Sequence, residues 1–546
     1  MNTQTHQMTT FSPVSPVGTA TFDPILFWND VALEANRISH TNDLGEQAGP
    51  PLSARALAIV HLAMYDAYAR VVNDPVQLPI YLSGVTLTAP ATTAADLDAV
   101  AAAAVASAAH WTLSVLFPSQ SATFNQRFAE AGDPGSPGHA LGQSVAHAIL
   151  LDRANDPGAA TLDHATKTGR GRHRADPDNP GQKPHAPYYG SEARNFATTD
   201  PMRHGLIKPP FDNAEYKAAL VEVRGRGIAP ELMGTLPSTI AGRTPEETVR
   251  GIYWGYDGAA KLGTPPRLYN QIVRVIAMER HNTVAQNARL FALVNVALAD
   301  AGILAWEQKY IHDFWRPVLG IREHDLSMGP EAIADGVALE AECDPNWLPL
   351  GAPSTNRVGT KNFTPPFPAY PSGHATFGAA ALHMTRLFYG VTPGDRSSDA
   401  LFKDQNGANL GFVSEEFDGV NVDNRGTARP RHVREFSGGL WQMIVENGLS
   451  RVDLGVHWVF DAFAVKTESG VTTPDVSRNI GGVPLGLAIA EDIFATGMMR
   501  SNVGPLPTVA AGGPAGALAA AIAGARDEGT ARGGSWQDRV PYPPTE

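Results

Sequence analysis

Three short stretches concentrate residues able to bind an anion and move a proton. FPAYPSGHATFG, from Phe367 to Gly378, is a Pro-rich extended approach into Ser372, Gly373 and His374, after which a helix begins at once. The first N–H groups of a helix lack intrahelical partners, and together with the helix dipole they attract an anion. Ser372 would add a hydroxyl, Gly373 an unobstructed N–H, and His374 a group that passes protons. Taken alone, the stretch reads equally as a serine N-cap followed by a core histidine.

KYIHDFWRP, Lys309 to Pro317, sets two cations seven residues apart. That spacing is two helical turns and puts Lys309 and Arg316 on one face, with Trp306 and His312 three residues either side of Lys309. Pro317 disfavours helix at Arg316 and lets its side chain emerge near the helix end. A solvated basic stripe has the same spacing. The surrounding Trp306, Phe314 and Trp315 predict burial instead, and buried cations need anions. SRVDLGVHWVFD, Ser450 to Asp461, places His457 and Asp461 four apart on an expected helix. The aspartate would hold one imidazole tautomer and leave the other nitrogen as nucleophile or ligand. Arg451 supplies a planar cation suited to an oxyanion. A routine surface His–Asp pair is the plain alternative.

The elements that carry these stretches read as helices. PPLSARALAIVHLAMYDAYARVV, from Pro50, has Pro at its entry and apolar residues at three- and four-residue spacing. Helical text continues over 97–117 and 120–154, and returns over 213–233, 245–260 and 267–315. It resumes at 373–389, 432–449, 456–467 and 484–499. Long irregular excursions cover 155–212, 323–370 and 391–431, and loops of that length are usually functional. Strand signals are few and short, and no fixed-period repeat occurs. The expected fold is all-α: two four-helix bundles with long connecting loops. The expected organisation is a leader over 1–22, an N-terminal half over 23–265, a second half over 266–500 carrying the anion site, and a Gly/Ala/Pro-rich tail over 501–546.

Composition narrows the chemistry. The chain has 42 Lys plus Arg against 55 Asp plus Glu, a net charge of -13. An acidic chain does not make the basic face that nucleic-acid backbones need. A lone cysteine, Cys343, excludes an internal disulfide and a multi-thiolate metal site. No nucleotide-binding glycine loop follows a strand, and no haem-attachment motif occurs, so nucleotide, flavin and haem are not expected. The first forty residues lack the charged and apolar regions of a classical signal peptide. The apolar run Leu97–Phe117 contains Asp98 and His110 and reads as a buried helix rather than a membrane span. The expectation is a soluble protein. His61, His110 and His147 sit in helical text and read as packed groups. The His- and Arg-bearing segment 169–185 reads as a solvated loop.

The three motifs in this order, Lys-x6-Arg-Pro, Pro-Ser-Gly-His and Ser-Arg-x5-His-x3-Asp, resemble a signature. It is shared by type-2 phosphatidic acid phosphatases, bacterial class A acid phosphatases and vanadium-dependent haloperoxidases. The flanking segments FWNDVALEANR, GPPLSARALAIVHLAMYDAY, YDGAAKLGTPPRLYNQIVR, FWRP and PPFPAYPSGHATFG look like the vanadium chloroperoxidase branch. The resemblance extends over most of residues 24–500. It implies that Lys309, Arg316, Ser372, Gly373 and Arg451 bind the equatorial oxygens of vanadate and that His457 is the metal ligand. It further implies that His374 is the acid/base and that Lys309 also polarises the peroxide. Asp257 would pair the site arginine, Trp306 and Phe367 would form the aromatic halide pocket, and Asp461 would support His457. Bromide-restricted relatives tend to have histidine at the Phe367 position. The implied partners are hydrogen peroxide, halide and an organic acceptor, with oligomeric state open because relatives range from monomers to large assemblies. Two rivals use the same residues: an acid phosphatase with His457 as nucleophile, and a non-catalytic oxyanion-binding protein.

Overall fold

A computed structural model describes residues 22–161, 164–199, 204–323 and 343–500. The expected leader, save Phe22, and the expected tail over 501–546 lie outside these residues, as does 324–342 of the second irregular excursion. Helices dominate, and two short antiparallel strand pairs accompany them. The all-α expectation therefore holds.

The N-terminal part comprises α1 (Pro24–Ser39), α2 (Pro50–Val72), α3 (Leu97–Leu116), α4 (Ser121–Ala131), α5 (Pro137–Asp152) and the one-turn α6 (Tyr189–Glu192). Next come α7 (Ala214–Arg226), α8 (Pro245–Tyr253) and α9 (Pro265–Glu279). The remainder is α10 (Val284–His312), α11 (Pro317–Glu323), α12 (Gly373–Phe388), α13 (Gly439–Asp453), α14 (Val459–Ala462) and α15 (Gly482–Thr496). Gly411–Phe412 (β1) pairs with Arg434–Glu435 (β2), and Ala464–Glu468 (β3) pairs with Val471–Asp475 (β4).

Nearly every side chain of α2, α10 and α12 is buried, so these helices are covered on all sides and form the middle of the molecule. The α10 helix packs on α2, α12 and α15, while α3 packs on α2 and α5. Among the described residues, the helices long and apolar enough to cross a membrane are α3 and α10, and both are packed inside the protein in this way. The α12 and α15 backbones meet closely. A Cβ on Gly482 would fall 2.5 Å from the Ser372 carbonyl oxygen, and one on Gly486 would fall 2.3 Å from that of Thr376. That approach fixes the mouth of α12, where the Ser-Gly-His motif sits.

Three local expectations are corrected. Lys309 and Arg316 do not share one helix: α10 stops at His312, and its C-cap Asp313 takes a left-handed conformation. Arg316 follows in a short connection before α11, so the left-handed cap at Asp313, rather than Pro317, ends the helix. The segment 456–467 is not one helix. Residues 454–458 form a turn with Gly455 left-handed, α14 is one turn long, and a hairpin starts at Ala464. Its tip, Ser469-Gly470, is left-handed at both residues, as a two-residue hairpin turn requires. The segment 169–185 is not a solvated loop. His173, Asp176, Asn179, Gln182 and His185 are buried. Backbone bonds from His173 to Asp313 and from His185 to Pro366 stitch it to the connections on either side of the site.

Candidate active site

Six elements deliver the predicted residues to one cavity. Its polar wall holds Asp257, Gly373, His374, Arg451 and His457, and its apolar wall holds Trp306, Phe367, Phe377, Pro50 and Pro365. Lys309, Arg316, Ser372 and Asp461 stand directly behind, each touching a wall residue. His312 does not join them; its ring turns edge-on to Tyr370, with centroids 5.0 Å apart.

His457 leaves the turn before α14. Its Nδ1 lies 2.8 Å from Asp461 Oδ2, and its Nε2 lies 2.8 Å from Arg316 Nη1. A guanidinium only donates, so Nε2 accepts and the proton resides on Nδ1, donated to Asp461. The tautomer therefore aims a lone pair out of Nε2. Burial and then the Arg316 and Lys309 charges hold the His457 pKa well below the ordinary imidazole value, which keeps the ring neutral. Burial pushes Asp461 up to about 7, against the pull of Lys309 and Arg316. The turn thus preserves the His–Asp pair that a four-residue helical spacing would have made.

Lys309 is fully buried on α10. Its ammonium donates to the carbonyls of Pro368 at 2.8 Å, Ala369 at 3.1 Å and Pro371 at 2.5 Å, and lies 5.0 Å from the centre of the Phe367 ring. Arg316 donates through Nε to the Phe367 carbonyl and through Nη1 to that of Val456, and also stacks over Phe367. The Pro-rich strand therefore gathers both cations by its carbonyl groups. Burial, then repulsion from Arg316, lowers the Lys309 pKa well below its ordinary value. Burial lowers Arg316 to about 9; Asp461 opposes the shift and Arg451 adds to it.

Arg451, in the last turn of α13, makes a two-pronged ion pair with Asp257, at 2.7 and 3.1 Å. His374, in the first turn of α12, donates from Nε2 to the Gly255 carbonyl at 2.7 Å, with Asp257 Oδ1 4.0 Å away. Burial and the Arg451 charge bring His374 down to about 4, partly offset by Asp257. Ser372 caps α12, accepting from the Ala375 N–H. Sequence reasoning missed Pro50, Pro365, Phe377 and the Gly255 carbonyl, since backbone groups and prolines carry no chemical signature of their own. The PPFP run beside the serine motif was the available signal for Pro365.

Three cations face two carboxylates here, a positive surplus in a buried place. Arg316 Nη2 and Arg451 Nε are buried without a hydrogen-bond partner among the described residues. No group of three His, Cys, Asp or Glu residues suited to a bare metal cation occurs among the described residues. Donors, cations and one neutral imidazole acceptor fit an oxyanion whose central atom accepts a nitrogen ligand. Vanadate meets that description.

Known proteins share this architecture and sequence. A family model described as the vanadium chloroperoxidase N-terminal domain matches residues 20–194, and one described as VCPO second helical-bundle domain matches 289–470. The vanadium chloroperoxidase of Curvularia inaequalis is 35% identical, over 88% of this chain and 92% of its own length. A bacterial vanadium-dependent iodoperoxidase has the same fold, with a TM-score of 0.59 and 19% identity, covering 89% of this chain and 99% of its own. The holo-type bacterial vanadium-dependent chloroperoxidase gives 0.53 and 17% identity, over 83% and 93% of the two chains.

Proposed function

Since this chain belongs to the vanadium chloroperoxidase family, we propose that it is a vanadate-dependent haloperoxidase. It oxidises chloride or bromide with hydrogen peroxide to hypohalous acid, which halogenates an organic acceptor. When bound, vanadate supplies a Lewis-acidic centre that activates peroxide for two-electron oxidation of halide. Arg316, Arg451, Lys309, Ser372 and the Gly373 N–H hold its oxygens, and His457 Nε2 is the metal ligand. Asp461 keeps the proton on Nδ1, so the ligand nitrogen stays unprotonated. His374 takes a proton from incoming peroxide and returns one to the product side, with Asp257 orienting Arg451 beside it. Lys309, its N–H groups held by the Pro368, Ala369 and Pro371 carbonyls, would place positive charge beside the bound oxygens. Trp306 and Phe367 give the halide an apolar wall, their rings 4.8 Å apart, and exclude water.

The observation that supports this reading most is the neutral His457, its Nε2 accepting from Arg316 in the free protein, set among buried cations with unused donors. The test is monochlorodimedone halogenation by purified protein given vanadate, hydrogen peroxide and chloride or bromide. Turnover is expected only with vanadate, and phosphate should slow its reconstitution. Absence of turnover with either halide in vanadate-loaded protein would overturn the reading. A phosphatase reading draws on the same neutral imidazole, which could attack a phosphoryl group. The aromatic wall favours halide chemistry, and hydrolysis of a phosphomonoester by vanadate-free protein measures what phosphatase capacity the pocket has.

A further inference from the structure

The long excursion between α12 and α13 does more than connect them: it backs the turn that holds two of the site's groups. Residues 254–257 follow α8 and contain Tyr256, a buried aromatic residue at φ 53°. Left-handed backbone is unfavourable for such a residue and persists only where the surroundings impose it. On one side of this turn, the Gly255 carbonyl accepts from His374 Nε2 at 2.7 Å, and Asp257 grips Arg451. On the other side lies residue span 412–416. The Ser414 hydroxyl donates to the Tyr253 carbonyl at 2.7 Å, and the Glu415 N–H donates to the Tyr256 hydroxyl at 3.0 Å. Tyr256 N–H donates to Glu416 Oε1 at 3.3 Å. A Cβ at position 255 would lie 2.6 Å from the same oxygen, so the turn is seated directly on this carboxylate.

Glu416 is itself locked. Its side chain is fully buried, and Oε2 accepts from the Thr355 hydroxyl at 2.5 Å and from Arg429 Nη1 at 2.7 Å. Arg429 also donates to the Thr355 hydroxyl at 3.0 Å, closing a three-membered clamp. Glu416 does not line the cavity. It sits behind the turn, aligned with the two groups that face it.

We propose that Glu416 is a positioning residue for halide oxidation. Clamped by Thr355 and Arg429, it holds the left-handed 254–257 turn so that the Gly255 carbonyl orients His374 and Asp257 meets Arg451. The proposal rests on His374 being the acid/base of a haloperoxidase. The oxyanion groups on α10, α12 and the 454–458 turn do not pass through this clamp, and Arg451, carried by α13, meets it only through Asp257. Its loss should therefore disturb turnover more than vanadate binding.

The experiment compares vanadate-loaded wild type with Glu416→Gln, Thr355→Val and Thr355→Ser. An ångström of misplacement can reduce a rate about 10²-fold. On that scale Glu416→Gln should lose about tenfold or more in kcat, and Thr355→Val a smaller factor, with peroxide and halide KM close to wild type. Thr355→Ser, which keeps the hydroxyl, should match wild type. Vanadate affinity, from calorimetric titration of vanadate-free protein, should change by less than about threefold in all three. A crystal structure of Glu416→Gln should show the His374 Nε2 to Gly255 oxygen contact lengthened past hydrogen-bond range. The proposal is overturned if that contact is unchanged, if kcat is unchanged in folded Glu416→Gln, or if kcat and vanadate affinity fall in parallel. The crystallographic arm needs no turnover, so an inactive wild type would strike the haloperoxidase reading while this inference is still judged.

Discussion

Replacing Arg316 by Met separates the two states of the site. In the free protein the guanidinium is buried among Lys309 and Arg451, and burial holds it down at about 9, well below its ordinary value. A base whose folded pKa is depressed destabilises the fold wherever it is charged, so the burden is complete below pH 9 and eases as pH rises past it. For Arg316 that burden is on the order of 5 kcal/mol at neutral pH. Met would remove it, but would leave the Phe367 and Val456 carbonyls and His457 Nε2 without their donor. Each orphaned acceptor costs about 1–3 kcal/mol. The terms nearly cancel, so vanadate-free Arg316→Met should melt within a few degrees of wild type. The bound state differs. Leaving buried oxyanion charge unpaired costs about 3–5 kcal/mol, or about 10²- to 10⁴-fold in affinity. Vanadate at about 1,000 times the wild-type Kd stabilises wild type by about 4 kcal/mol; the same concentration should stabilise the variant by about 1 kcal/mol or less. Scanning calorimetry in phosphate-free buffer, with and without excess vanadate, measures both. If the variant's transition rises with vanadate as far as wild type's, Arg316 is not an anion partner. If the vanadate-free variant unfolds at far lower temperature, the buried-charge argument is wrong.

Four further outcomes follow from the geometry. His374→Ala should lower halogenation turnover about 10²- to 10⁴-fold while vanadate still binds, and full retained turnover would remove His374 from the mechanism. Burial and Arg451 hold His374 near 4 in the free protein. A bound anion favours imidazolium and raises that value, so the acid limb of turnover in the loaded enzyme should lie above pH 4, a result read from the pH profile of kcat/KM for peroxide. Asp461→Asn removes the carboxylate that orients His457, and vanadate affinity should fall about 10- to 100-fold by titration, with an unchanged Kd contradicting the assigned tautomer. Phe367→His replaces an apolar ring beside Lys309 and Arg316 with one that can protonate, and should change the ratio of chloride to bromide turnover in paired assays.

The chemistry was more legible than the backbone that carries it. Lys309, Arg316, Ser372, Gly373, His374, Arg451 and His457 were all marked by residue type and order, and they meet around one cavity. Helix-face reasoning brought Lys309 and Arg316 together for the wrong reason. What unites them is the Pro368–Pro371 strand and the Phe367 carbonyl, acceptors donated to by both side chains. Such long-range carbonyl contacts leave no periodicity in sequence. The 169–185 segment was misread because its charges suggested solvation. Its burial comes from backbone pairing with Asp313 and Pro366, and only the folded chain brings those partners near. The Glu416 clamp was illegible for the same reason, with Thr355, Arg429 and Tyr256 spread over more than 170 positions.

The cage and the reaction are set by different parts of the site. In the proposed reading, Arg316, Arg451, Lys309 and the mouth of α12 would recognise negative oxygens around a central atom, and phosphate offers these as well as vanadate does. Competition between the two anions follows from the donors themselves. What differs is the fate of His457 Nε2. Against phosphorus, five-coordination is passed through only transiently and the imidazole is a nucleophile. Against vanadium, the same nitrogen would instead serve as a lasting ligand. The occupant therefore selects between hydrolysis and oxidation. The apolar wall then selects what the oxidised oxygen meets. Trp306 and Phe367 stand where a polar substrate would need hydrogen-bond partners and a weakly hydrated halide needs none, with Lys309 5.6 Å from the Trp306 ring to attract it. A cationic pocket with a polar outer wall would serve phosphate esters. With aromatic rings on that wall, the same cations serve halide.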